Sequence, residues 1–239
     1  TTTATEVTTV FFFFDPTYIL VIIGAIISII ASANVSSTYN KYSQVRNSRG
    51  LTSQDVAMMI LRGAGINDVR IERIEGSLSD HYSPAEKVLR LSDTVYGQTS
   101  VAAIGVAAHE CGHAIQHKNG YFALKLRSLS VPLANIGSSL SLPIILIGLI
   151  FGLPGLAKIG VILFSLVVVF QLITLPVEFN ASNRALKILE TDHILVGEEL
   201  DGASKVLKAA ALTYVAALLS SILTLIRLII LTGGNKRDD

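Results

Sequence analysis

The sequence predicts a mainly α-helical membrane protein, with about four transmembrane helices and one small α+β domain outside the bilayer. The first observation is composition: of the 239 residues, 51% are hydrophobic and only 15% are charged, which is unusually apolar for a soluble domain. The second is that the apolar residues are gathered in four blocks, each near the ~20 residues that a bilayer-spanning helix needs. The third is the stretch 34–130, which is long and polar enough to fold outside the bilayer.

The four apolar blocks define the predicted transmembrane helices. The first is 18–33, and because the residues before it contain no Lys or Arg, we expect an uncleaved span rather than a secretory signal. The second and third lie within 131–177 and form a predicted transmembrane hairpin. The fourth is 209–231, in which Arg227 is close enough to the end of the block to snorkel to the interface.

The distribution of Lys and Arg among the connecting segments predicts the orientation of the chain. Eleven of these residues lie between Lys41 and Arg127, and four more lie in the segment 178–208. The positive-inside rule therefore places both of these segments in the cytoplasm. Residues 1–17 then form an extracytoplasmic tail, and residues 232–239 form a tail at the other terminus.

The predicted cytoplasmic domain, residues 34–130, contains short helices and strands. A capping pattern at Leu51–Asp55 opens a helix that runs to about residue 65. Alternating apolar and charged residues predict strands at 69–74 and 87–91. Residues 100–117 then read as one continuous helix with small residues along it, which permit neighbouring elements to approach closely.

This last helix, which stops near Asn119, contains the run His-Glu-Cys-Gly-His at positions 109–113. Positions i and i+4 share one face of a helix, so His109 and His113 can point their imidazoles at one metal ion. Glu110 lies too far to the side to ligate easily, but it is well placed to take a proton from water at the metal. This is the H-E-x-x-H arrangement of zinc peptidases, and it predicts a hydrolase with Zn²⁺ as cofactor.

Two further side chains of the helix are excluded as ligands by their positions. Cys111 stands roughly 200° round the helix from His109 and therefore faces away from the metal. It is the single cysteine of the chain and is consistent with a reducing compartment. His117 lies roughly 12 Å along the helix axis from His109, too far to share one ion, and a solvated helix end is the better interpretation.

A catalytic zinc needs three protein ligands and one open position, so a third ligand must come from elsewhere. The predicted hairpin returns the chain to the membrane face of the zinc helix at Glu178, and this topology favours Glu178. The remaining candidates for the third ligand are His81, His193, Glu190, Asp192, Glu198, Glu199 and Asp201.

A developing oxyanion would need a further hydrogen-bond donor. Tyr82 and His81, which precede the zinc helix, could donate this hydrogen bond.

Several runs around the pentapeptide carry a family resemblance. They are Ser100-Val-Ala-Ala, Ala114-Ile-Gln-His, Leu175-Pro-Val-Glu-Phe-Asn-Ala-Ser-Asn-Arg-Ala-Leu, Asn40-Lys-Tyr-Ser-Gln-Val-Arg-Asn, Leu78-Ser-Asp-His-Tyr and Ala209-Ala-Ala-Leu-Thr-Tyr-Val. With these runs, the chain resembles the YugP-like family of bacterial membrane zinc metallopeptidases. The resemblance implies a zinc-dependent endopeptidase of the gluzincin type, with a zincin-like cytoplasmic domain and with Glu178 as the third ligand.

A more distant resemblance concerns the support of a ligand. The run Glu178-Phe-Asn-Ala-Ser182 resembles the Glu-x-x-Ala-Asp segment of HtpX and of the CAAX prenyl protease. The Asp of those proteins supports a ligating histidine, and Ser182 stands in its place here. A serine can hydrogen-bond a histidine N–H without adding negative charge, so Ser182, or Asn183 beside it, is expected to take this role.

The function predicted from the sequence is hydrolysis of peptide bonds at the cytoplasmic face of the bacterial inner (plasma) membrane. We expect a multi-pass protein whose substrates are membrane-associated proteins or peptides, with membrane-protein quality control as one role. The net charge of +1 gives no reason to expect nucleic acid as a partner, and the sequence does not indicate an oligomeric state.

Two alternative functions stay open at this point. An intramembrane site-2-type protease also uses H-E-x-x-H and carries a Leu-Asp-Gly motif, which occurs here at 200–202. In such an enzyme the zinc helix spans the membrane, whereas this helix follows soluble-looking strands and ends in polar residues. The other alternative is a zinc-stabilised membrane scaffold without peptidase activity, which would tolerate the loss of Glu110.

Overall fold

The structure is a computed structural model that describes residues 15–233. Residues 1–14 and 234–239, which belong to the two expected tails, lie outside the described residues. In chain order, the elements are α1 (Tyr18–Ser43), α2 (Ser53–Gly63), β1 (Arg70–Ile74), β2 (His81–Ser83), β3 (Val88–Ser92), α3 (Val101–Lys118), α4 (Phe122–Ile150), α5 (Pro154–Thr191) and α6 (Glu198–Gly233). The prediction of a mainly helical chain with a small sheet is confirmed.

Within residues 15–233, four helices are long and apolar enough to cross a membrane: α1, α4, α5 and α6. The prediction of four such helices is confirmed. Each helix extends beyond the apolar block that revealed it, because helical hydrogen bonding propagates into polar sequence once it has started. Thus α1 continues to Ser43, and α5 passes through Pro176 and ends at Thr191.

The described residues cluster into two compact units. The first unit comprises the described residues up to Ala31, Leu126–Thr174 and the described residues from Tyr214 onward. The second unit comprises Ser32–Lys125 and Leu175–Thr213, and it therefore contains the sheet, α2 and α3.

The first unit contains a buried ion pair. The Nη2 atom of Arg227 lies 2.9 Å from Oδ2 of Asp15, and both side chains are less than a tenth exposed. The guanidinium also lies 5.2 Å from the ring centre of Tyr18. A cation in an apolar segment is stabilised by a nearby carboxylate and an aromatic face, and Arg227 has both within this unit.

The second unit contains a three-stranded sheet in the order β1-β3-β2. Strand β1 is parallel to β3, and β2 is antiparallel to it with His81 opposite Arg90. The strands expected at 69–74 and 87–91 correspond to β1 and β3. The third strand, β2, has only three residues, which are too few to show an alternating pattern in the sequence.

The hydrophobic core of the second unit is shared by α2, β3, α3 and parts of α5 and α6. Helix α2 begins with the expected capping box, in which the Thr52 hydroxyl accepts from the Asp55 amide and the Asp55 carboxylate accepts from the Thr52 amide. The core side chains include Val56, Ile60, Leu89, Leu91, Ile104, Leu189 and Leu195. This core holds α3 on one side and the second half of α5 on another.

Candidate metal centre

Helix α3 is fixed at both ends, and this positions its histidines. At its start, the Ser100 hydroxyl accepts a hydrogen bond from the Ala103 amide at 3.2 Å. At its end, Asn119 is the C-cap, and Gly120 follows with a positive φ of 62°. The helix and its stop agree with the sequence prediction. His109 and His113 therefore lie one turn apart on the same face, well inside the helix.

Helices α3 and α5 approach each other very closely at Gly112. A Cβ atom at this position would lie 2.5 Å from the carbonyl oxygen of Ala181, so no other residue fits without a shift of backbone. The close approach brings Glu178 and Ser182, on the facing side of α5, next to the two histidines of α3. The small residues of α3 thus permit the contact on which the site depends.

Three donor atoms from these two helices converge. Oε2 of Glu178 lies 3.3 Å from Nε2 of His109 and 3.6 Å from Nε2 of His113. The three residues form a group that could hold a metal ion, with all ligand atoms within 4.8 Å of one another. The Glu178 side chain is 3% exposed, whereas those of His109 and His113 are 15% and 11% exposed. The structure thus brings His109, His113 and Glu178 together.

The donor set and its spacing fit zinc. Zinc takes imidazole nitrogen and carboxylate oxygen at about 2.0–2.2 Å in tetrahedral geometry, which places neighbouring ligand atoms about 3.4 Å apart. The two separations from Glu178, 3.3 and 3.6 Å, match this edge length. The other candidates for the third ligand do not belong to the group: His81 lies on β2 with its Nδ1 atom 2.9 Å from the Ser79 carbonyl, and His193 lies beyond the end of α5.

Each histidine is held through its second ring nitrogen. The Nδ1 atom of His109 lies 3.0 Å from the Ser182 hydroxyl, and the Nδ1 atom of His113 lies 3.0 Å from Oε1 of Gln116. Both contacts leave Nε2 directed at the carboxylate, as metal-ligating histidines require. Asn183, the other residue expected to support a ligand, is exposed.

Gln116 had not been singled out from the sequence. Its position three residues after His113 places it on the same side of the helix, and this spacing is the signal that could have drawn attention to it. An uncharged polar residue has many ordinary roles on a helix, however. Only the structure shows that its side chain is completely buried.

Charge around the site is dominated by carboxylates. Burial by itself would lower the pKa of His113, but the carboxylates of Glu178 and Glu110 outweigh that effect and raise it above the ordinary value. Burial, assisted by the negative charge of Glu110, also raises the pKa of Asp80, although Ser92 donates two hydrogen bonds to it. The negative charges of Glu178 and Glu110 therefore favour a cation at His113.

Cys111 and His117, which the sequence excluded as ligands, both lie outside the group of potential ligands. Cys111 is completely buried, with its thiol 3.6 Å from the carbonyl oxygen of Ala57, and burial raises its pKa. His117 is exposed at the end of α3, where its Nδ1 atom lies 2.9 Å from the Tyr82 hydroxyl. Neither belongs to the group of three potential ligands.

Comparison with known proteins agrees with this geometry. Residues 17–233 match a protein family described as "Putative neutral zinc metallopeptidase". The chain is 45% identical over 223 residues to the "Putative membrane protease YugP" of Bacillus subtilis (strain 168), an alignment that covers 93% of this chain and 99% of that protein. No solved structure gives a significant match.

Proposed function

Because the chain belongs to this family of neutral zinc metallopeptidases, we propose that it is a membrane-bound zinc endopeptidase of the gluzincin type. The proposed ligands are His109, His113 and Glu178, and the proposed general base is Glu110. The observation that carries the proposal is the convergence of three ligand atoms from two helices, with Glu110 next in sequence to one of the three residues.

Each proposed role follows from the position of the side chain. A bound zinc ion would lower the pKa of a water molecule at the open position and polarise the scissile carbonyl. Glu110 is 8% exposed and follows His109 directly in α3, and its negative charge acts on His113. Glu110 accepts the proton of the attacking water and then donates it to the leaving amine.

Strand β2 offers a place for an extended peptide substrate. Within residues 15–233 it pairs with β3 on one side only, and it contacts α3, which carries the site. An edge strand can pair with a peptide through backbone hydrogen bonds and hold it in an extended conformation for cleavage. Tyr82 and His81 both lie on β2, and a hydrogen bond from either of them to the developing oxyanion belongs to the proposal.

The proposed location is the cytoplasmic face of the bacterial inner membrane. Support comes from the four apolar helices and from the concentration of Lys and Arg in the segments 34–130 and 178–208. In this arrangement 18–33, the hairpin 131–177 and 209–231 cross the bilayer. The substrates are then membrane proteins or peptides near the membrane, with quality control as the role.

An intramembrane site-2-type mechanism is less well supported. Helix α3 is not one of the four candidate spans among the described residues, and most of its residues are buried in the core of the second unit. The Leu-Asp-Gly sequence at 200–202 lies in the first turn of α6, beside the charged residues Glu198 and Glu199. Asp201 is exposed, while Leu200 packs against the core of the second unit, which is not the setting of a bilayer-embedded motif.

Substitution of Glu110 by Gln tests the proposed mechanism. The amide keeps the size of the side chain but cannot take a proton, so we expect kcat/KM to fall by roughly 10²- to 10⁴-fold while bound zinc is retained. Cleavage of unfolded and of membrane-anchored substrates would be measured on purified protein in liposomes, alongside metal analysis. Glu75→Gln, at an exposed position in the same unit, is the matched control.

The outcomes of this experiment separate the candidate functions. Unchanged cleavage by Glu110→Gln would refute the role of Glu110 as the base. Zinc binding without cleavage by either protein would favour the scaffold that lacks peptidase activity.

A further inference from the structure

The side chain of Gln116 is completely buried between α3 and α5. Its Nε2 atom donates to the Val177 carbonyl at 2.8 Å and to Oδ1 of Asn180 at 3.0 Å, and its Oε1 atom lies 3.0 Å from Nδ1 of His113. The amide thus has partners for both of its polar atoms, as a buried amide requires. One uncharged side chain therefore joins a proposed metal ligand to the helix that supplies another.

The orientation of this amide is determined by its partners. A backbone carbonyl can only accept hydrogen bonds, so the atom of Gln116 that faces Val177 must be the nitrogen. Arg184 gives an independent argument, because its Nε–H donates to Oδ1 of Asn180 at 2.7 Å and an arginine can only donate. The oxygen of Asn180 is thereby identified, and it in turn requires the nitrogen of Gln116 beside it. Oε1 of Gln116 must then face His113.

This orientation fixes the position of a proton on His113. A carbonyl oxygen accepts hydrogen bonds and cannot donate them, so Nδ1 of His113 must carry the hydrogen that bonds to Gln116. In the neutral imidazole, the lone pair then lies on Nε2, the atom that faces Glu178. This is the tautomer that can ligate a metal through Nε2.

His109 is held in a different way. Its Nδ1 atom faces the hydroxyl of Ser182, which can either donate or accept a hydrogen bond. That contact is compatible with both tautomers of His109. Of the two histidines, His113 is the one whose tautomer is specified by its partner.

Gln116 also bridges two ligands. The Val177 carbonyl to which it donates belongs to the peptide bond that precedes Glu178. The same amide therefore contacts the ring of one ligand and the backbone next to another. Loss of its hydrogen bonds would affect both the protonation of His113 and the spacing between the two helices.

We propose that Gln116 is a positioning residue that holds His113 in the tautomer competent for metal binding and fixes its separation from Glu178. The proposal rests on the proposed function only in that it takes these two residues as zinc ligands. It assigns to Gln116 no contact with substrate, so metal affinity is the quantity that it predicts directly.

The first experiment measures zinc affinity on the full-length protein in detergent, by competition with a chromophoric chelator. Gln116→Met keeps approximately the length of the side chain but removes its hydrogen bonds, and we expect zinc to bind about 10- to 100-fold more weakly. Gln98→Met is the matched control, because Gln98 is exposed in the same unit, and its affinity should equal that of the wild type. Wild-type affinity in Gln116→Met would overturn the proposal.

The second experiment observes the proton directly in the wild-type protein. Nitrogen NMR of ¹⁵N-histidine-labelled, zinc-free wild type at alkaline pH should show the His113 proton on Nδ1, assigned by its loss in His113→Gln. Gln116→Glu retains an acceptor for Nδ1 and should keep this tautomer, whereas Gln116→Met should give a mixture. A wild-type proton on Nε2 would overturn the proposal.

The two proposals fail in different ways. If the wild type binds zinc tightly but cleaves no peptide, the proposed function is wrong, and the comparison of zinc affinities still supports or overturns the role of Gln116. If it cleaves peptides and Gln116→Met binds zinc normally, only the role of Gln116 is wrong.

Discussion

At the scale of single residues, the site is a carboxylate placed between two imidazoles. Glu178 is 2% exposed, and a buried carboxylate is stable only when positive charge lies close to it. Without metal, that charge can come from a proton on the ring of His113. With metal, it comes from the cation. Protons and zinc therefore compete for the same position.

This competition predicts how zinc affinity depends on pH. The pKa of His113 is raised above the ordinary 6.5, so below that raised value the metal-free ring is charged and must lose a proton before zinc binds. The association constant for zinc should therefore rise about tenfold per pH unit, because one proton is displaced. It should continue to rise beyond pH 6.5 and level off above the pKa of His113. Chelator competition between about pH 5.5 and 8.5 would measure this association constant.

A control for this prediction is His117→Gln, which removes an exposed histidine outside the group of ligands. It should leave the pH profile unchanged. An association constant that is flat across the acidic half of the range would show that His113 does not bind a proton in the metal-free protein.

The sequence predicts some of these residues better than others. His109, Glu110 and His113 follow from spacing within one helix, which local sequence records directly. Glu178 could be inferred only from topology and from a resemblance, because it lies on a different helix. Gln116 was missed, since its partners Val177 and Asn180 are far away in the chain and a hydrogen bond between distant residues leaves no periodic pattern.

At the scale of elements, the important contact is the close approach of α3 and α5. Gly112 permits it, since the Ala181 carbonyl occupies the space that a side chain would need. Packing in protein interiors leaves little room for adjustment, so even one added methyl group must move the helices apart. The proposed ligands on the two helices would then separate as well.

Substitution of Gly112 by Ala should therefore destabilise the protein and weaken zinc binding together. We expect a loss of about 1–3 kcal/mol in the free energy of unfolding, the usual cost of overpacking. Chemical unfolding of the zinc-free protein, together with the zinc affinity, would measure the two effects. The matched control is Gly63→Ala in α2, where an added Cβ meets nothing within 4 Å.

The control should be neutral, or stabilising by about 0.4–1 kcal/mol, because Ala restricts the unfolded chain without strain in the folded one. If Gly112→Ala were equally harmless, α3 and α5 would not need the close approach.

The elements themselves were predictable to different degrees. Helices α2 and α3 were recognised from caps and stops, and β1 and β3 from alternation, all of which are local signals. The short strand β2 was not recognised, nor was the parallel pairing of β1 with β3, because strand pairing depends on contacts between distant residues. Hydropathy defines only the apolar part of a helix, so it does not indicate where the helix ends, as with α1, which continues to Ser43.

At the scale of the whole molecule, orientation in the membrane is the property that most needs a test. Under the proposed topology, Glu75 faces the cytoplasm and Phe151, in the turn between α4 and α5, faces the other side. Both positions are exposed, and the only native thiol, Cys111, is completely buried. In intact cells, a membrane-impermeant maleimide should label Phe151→Cys but not Glu75→Cys.

Permeabilised cells provide the control, because there both variants should react while the wild type stays unlabelled. Labelling of Glu75→Cys in intact cells would reverse the orientation and move the proposed site to the outside of the membrane.

The division of the ligands between α3 and α5 has a consequence for synthesis. A ribosome that has just completed α3 has made two of the three proposed ligands, and Glu178 follows only after α4 and most of α5. Because chains fold progressively from the N-terminus as they are made, the growing polypeptide carries an incomplete metal site throughout this interval. The proposed metal site would therefore gain its third ligand only after α1, α4 and most of α5 have been made.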